Sequence, residues 1–83
     1  MTNPKDILEM TAILNGTTKM TVSELFVEFN RPHLVGEADW RDCARYLRSY
    51  YGLKDWEIRE AAIEWSTDKE AGERIAKALL SKP

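Results

Sequence analysis

Residues Asp55–Ser66, DWEIREAAIEWS, decide how this chain folds. At about 100° per residue, Ile58, Ala61, Ala62 and Trp65 fall on one side of a helix, at the i, i+3, i+4, i+7 spacing of a buried stripe. Trp56 and Ile63 are seven positions apart and lie nearly opposite. Glu57, Glu60 and Glu64 fill one sector between the two apolar faces, and Arg59 sits in the other. A helix apolar on two faces either runs through the middle of a bundle or keeps one face for a partner.

The neighbouring segments read as what packs around it. Downstream, Thr67 and Glu70 have the spacing of a capping box, and Ala71, Ile75, Ala78 and Leu79 stripe a last helix over 68–81. Gly72 allows close approach there, and Lys77 and Lys82 suit the negative end of the helix dipole. Upstream, Asp55 is the expected N-cap and Gly52 closes a helix over 37–51. In that helix Trp40, Cys43, Ala44, Leu47 and Tyr51 form the stripe, widened by Tyr46 and Tyr50. Arg41, Arg45 and Arg48 line its opposite edge.

Residues 31–36 form an irregular link holding the single histidine, His33, since Pro32 pushes its predecessor out of helical geometry. Before it, Thr21 and Glu24 make a capping box for a helix over 22–30 striped by Val22, Leu25, Phe26 and Phe29. Asn3, Pro4 and Asp6 start a first helix over 4–15, striped by Ile7, Met10 and Leu14. Asn15 and Gly16 then read as its left-handed C-cap, with Thr17 to Met20 as a connector of extended character but no sheet. The expectation is an all-α fold: a compact bundle of about five short helices forming one domain, 1–83. Phe26, Phe29, Trp40, Leu47, Ile58, Trp65, Ile75 and Leu79 are the expected core.

Composition narrows the function classes. Eighty-three residues with 43% hydrophobic and 31% charged side chains suit one globular domain rather than a disordered chain. A net charge of −2 supplies no global field for nucleic acid or anionic lipid. A single cysteine allows no internal disulfide and fits a reducing, cytoplasmic setting. The first residues lack the layout of a signal peptide, and no apolar run reaches the ~20 residues of a membrane span. No stretch resembles a known family over enough of the chain to name one.

Catalytic motifs are missing: there is no Gly-rich phosphate loop, Gly-x-Ser-x-Gly or His-Glu-x-x-His. Cys43 lies in an apolar stripe, where a thiol behaves as a small hydrophobe rather than a nucleophile with His33 as its base. Asp39 and Asp42 alone do not make a metal site, and no cofactor or small-molecule substrate is expected. A helix-turn-helix over 44–63 would present Glu57, Glu60 and Glu64 to phosphates, which disfavours it. Pairing 22–30 with 37–51 instead needs a connector longer than that motif uses.

Two surfaces remain. The first is Trp56 with Ile63, rimmed by Glu60 and Glu64, the pattern of an anchor side chain ringed by polar groups. It implies a non-enzymatic protein-interaction module: an adaptor, inhibitor or regulatory subunit, of the size common among small intracellular and phage-encoded regulators, or a self-associating bundle. The alternative is a nucleic-acid-binding regulator using Arg41, Arg45 and Arg48, with Tyr46 and Tyr50 available to stack. Against it, Asp39 and Asp42 share the helix, and Glu57, Glu60 and Glu64 are ready counter-charges on the next one.

Overall fold

A computed structural model describes residues 3–31 and 39–81. The link expected at 31–36, with His33, lies largely outside the described residues, as do the first turn of the expected helix 37–51 and both chain ends.

The first helix, α1, is Pro4–Glu9. Asn3 caps it by accepting from the Lys5 amide at 2.9 Å, and Pro4 sits in the first turn, as the sequence implies. It does not continue to residue 15. At Met10 the backbone turns extended, and Thr11–Leu14 (β1) pairs antiparallel with Thr18–Thr21 (β2). The fold is therefore predominantly helical but not purely α. The physical reason lies in Asn15 and Gly16. Both hold positive φ, 54° and 74°, and the Thr17 amide closes back on the Leu14 carbonyl at 3.2 Å. These two residues reverse the chain inside a hairpin instead of terminating a helix. The register runs from Thr11 opposite Thr21 to Leu14 opposite Thr18. Leu14 is buried and Ala12 half-buried, while Thr11 and Ile13 face out, the alternation of a strand with one covered face.

The second helix, α2 (Val22–Phe29), grows directly out of β2. Both bonds of the expected capping box are present: the Glu24 amide donates to Thr21 Oγ1 at 3.0 Å, and the Thr21 amide donates to Glu24 Oε1 at 3.1 Å. The third, α3 (Trp40–Ser49), is capped by Asp39, which accepts from the Arg41 amide at 3.1 Å. Gly52, at φ 67°, lets the chain fold back so that the Leu53 amide reaches the Leu47 carbonyl at 3.0 Å.

The fourth, α4, is Asp55–Ser66, matching the stretch read from sequence. Asp55 is its first residue rather than its cap. Glu57 instead accepts from the Lys54 amide at 2.9 Å. Thr67 does not cap the next helix. It takes the left-handed conformation that ends α4, at φ 59°, and Asp68 caps α5 (Lys69–Leu79) by accepting from the Glu70 amide at 3.0 Å.

Helix α4 touches all four other described helices, most extensively α5 on one side and α1 on another. Gly72 is what seats α5 so closely. A Cβ there would stand 2.6 Å from the Ile63 Cα, so the two backbones approach in a way only glycine permits. Phe26 fills the centre, its ring 5.3 Å from Trp65 and 6.3 Å from Trp40, which ties α2, α3 and α4 together. Of the expected core, Phe26, Leu47, Ile58 and Leu79 are fully buried, and Phe29, Trp40, Trp65 and Ile75 pack against it half-buried. Ile7, Leu14, Val22, Leu25, Cys43, Ala44, Tyr51, Leu53, Ala61, Ala62 and Ala76 join them in one continuous cluster.

Candidate functional site

The face carrying Trp56 and Ile63 is unevenly filled. Ile63 is half-buried because its backbone lies under Gly72 of α5. Trp56, two turns nearer the start of α4, stays 52% exposed. Glu60 and Glu64 are half-buried on the same helix. Arg59 leans across to Glu73 of α5 at 3.1 Å and also approaches Glu60 at 3.5 Å. The exposed part of this face is thus one large indole, with the Glu60 and Glu64 carboxylates further along the same helix and Arg59 bridging Glu60 to Glu73 of α5. An exposed Trp held on a packed helix offers apolar area at little further cost in side-chain entropy.

The arginine edge of α3 is paired throughout, but not with the partners expected from sequence. Arg48 binds Asp55 at 2.9 Å, Arg45 binds Asp42 at 3.2 Å, and Arg41 lies 3.5 Å from its own cap, Asp39. Glu57, Glu60 and Glu64 make none of these contacts. The reason is proximity: aspartates on α3 and at the first residue of α4 come within reach before the glutamates further along. All three arginine side chains remain substantially exposed, Arg45 at 77%, so the pairs contribute little to stability. A shallow cleft of about 640 Å³ lies between this edge and the end of α5, lined by the three arginines, Asp39, Asp42, Leu79 and Ser81. Its guanidiniums are largely offset by carboxylates. Tyr46 stacks on Tyr50 at 5.6 Å and packs 6.1 Å from Phe29, so its ring already serves the fold.

Cys43 is fully buried in the core cluster. Burial pushes its thiol up to about 12, so at neutral pH it carries almost no thiolate. Among the described residues no group of three or more His, Cys, Asp or Glu side chains is arranged to hold a metal, and no helix is long and apolar enough to cross a membrane. Ile13, which faces outward on the hairpin with Thr11, is 59% exposed, and a helix over 4–15 gives it no role. The signal that would have found it is the Asn15-Gly16 turn, since a hairpin there sends Thr11 and Ile13 to one face. No known protein family, curated protein or solved structure matches the chain.

Proposed function

We propose that this chain is a small, non-enzymatic, cytoplasmic protein-interaction module, an adaptor, inhibitor or regulatory subunit, that docks through Trp56. One observation carries the reading: a tryptophan more than half exposed on the helix that every other described helix packs against. Ile63 adds half-buried apolar surface two turns along the same helix, and Glu60 and Glu64 set a rim that favours a partner with an apolar pocket edged by basic groups. The paired arginines and the engaged Tyr46 weigh against the nucleic-acid alternative, because a phosphate would have to displace a carboxylate at each guanidinium.

The test uses one substitution and two measurements. Trp56→Ala should cut affinity for a partner purified from the source cells by about thirty-fold or more, as loss of an interface anchor of ~2 kcal/mol does. Its cost to folding should stay well below the roughly 3–5 kcal/mol of a core tryptophan. A large stability loss with unchanged binding would sink the proposal. Binding that survives Trp56→Ala but collapses with added salt, and with Arg45→Ala, would transfer the function to the arginine edge.

A further inference from the structure

The hairpin has two edges, and among the described residues only one of them is protected. The Val22 amide donates to the Met10 carbonyl at 3.0 Å, just beyond the last registered pair, Thr11 with Thr21. In an antiparallel ladder bonded pairs alternate with non-bonded ones. Ala12/Met20 and Leu14/Thr18 are therefore the bonded pairs within the hairpin. The amides and carbonyls of Thr11 and Ile13 point away from β2, and those of Lys19 and Thr21 point away from β1.

On the β2 edge the Thr21 amide is taken by the Glu24 carboxylate at 3.1 Å, α2 packs alongside, and Lys19 adds a charge. These are the devices by which sheet edges are kept from pairing. Among the described residues the β1 edge has none of them. Its sequence, TAIL, carries no charge and no proline, and β2 is its only extensive neighbour among the described elements. Thr11 is exposed, and Ile13 is among the most exposed large apolar side chains described.

We infer that β1 pairs antiparallel with the β1 strand of a second copy, joining two hairpins into one four-stranded sheet across a two-fold axis beside Ala12. The edge is self-complementary about that axis. Thr11 of one copy falls opposite Ile13 of the other, so every outward amide and carbonyl finds a partner. The facing side chains are β-branched, and no like charges meet. Ala12, the small residue between them, meets its own symmetry mate. A strip this short is smaller than the interface of a permanent dimer, so the association is weak and grows with concentration. An uncharged, self-matching edge favours a second copy over an unrelated strand.

Sedimentation velocity on the wild-type chain from about 10 µM to about 1 mM should show a dimer fraction that rises with concentration. Over the same range the Thr11 and Ile13 amides should exchange several-fold more slowly with solvent, because no described residue bonds them in the monomer. Ile13→Glu sets a carboxylate beside Lys19 within the hairpin but brings two carboxylates near the two-fold axis. It should abolish the dimer while leaving the circular-dichroism melt close to wild type. Trp56→Ala should leave the dimer intact, which separates this edge from the α4 surface. A chain that stays monomeric with concentration-independent exchange at Thr11 and Ile13 overturns the inference. So does a dimer that survives Ile13→Glu or disappears in Trp56→Ala.

Discussion

At the scale of single residues, Cys43 shows how packing decides chemistry. The thiol is surrounded by the apolar stripe of its own helix and the core it fills, and burial favours its neutral form. A sign follows for the pH dependence of folding. Below about pH 8.5 the thiol is neutral in both the folded and unfolded chains. As the pH rises further, the unfolded chain releases this proton while the folded chain holds it until about pH 12. Stability contributed by the buried neutral thiol is therefore present below the unfolded value and lost toward the folded one, with a slope of up to ~1.4 kcal/mol per pH unit. Tyr51, raised by burial and further by Cys43 and Glu24, steepens the same trend at higher pH. Urea denaturation of the wild type and of Cys43→Ala between pH 8 and about pH 11 should give a shallower decline for the variant. Parallel declines would mean that Cys43 does not titrate on unfolding. The burial of Cys43 was legible from its place between Trp40 and Leu47, because an unbroken helical stripe fixes which side faces inward. The partners of the arginines were not legible, since side chains that reach several ångströms choose among carboxylates by tertiary distance, as Arg48 does with Asp55.

At the scale of elements, α2, α4 and α5 form within two residues of where their stripes and breakers place them. The hairpin is the exception, and its cause is specific. Ile7, Met10 and Leu14 sit at spacings that satisfy a helix, so periodicity alone extends α1 through residue 14. Local chemistry opposes that reading. Thr11, Ile13, Thr17, Thr18 and Thr21 are β-branched, and Asn-Gly is the pair that most readily supplies two consecutive residues of positive φ. The same pair can end a helix, and only the alternation that follows it, with Thr18 to Thr21 turned back along Thr11 to Leu14, tells the two uses apart. The turn makes its own test. Gly16→Ala places a Cβ at φ 74°, where nothing crowds it but the backbone itself is strained. The loss should be about 1–2 kcal/mol, read by chemical denaturation. A neutral result would mean the turn adopts another conformation in solution.

At the scale of the whole molecule, α4 is the common neighbour of the other helices, and the hairpin is an outlying unit that must be fastened to them. Part of the fastening is apolar, through Leu14 and half-buried Met20. Part is a long-range hydrogen bond: the Tyr51 hydroxyl donates to the Met20 carbonyl at 2.7 Å, spanning 31 positions in sequence. The ring is buried at the end of α3, and Gly52 turns the chain immediately after it. This bond therefore couples β2 to the junction between α3 and α4. Tyr51→Phe keeps the ring and removes only the hydroxyl, leaving the Met20 carbonyl with one partner fewer in a partly buried place. Equilibrium unfolding should show a loss of about 1–2 kcal/mol, a sizeable share of the roughly 5–15 kcal/mol that holds a small domain together. The loss should be regional as well as global. Amide exchange at Ala12 and Thr18, whose bonds lie inside the hairpin ladder, should accelerate more than exchange at Ile58 or Ala62 in the middle of α4. Equal acceleration at all of these amides would mean the hairpin unfolds only with the helices, and that the Tyr51 bond is one contact among many in a single cooperative unit.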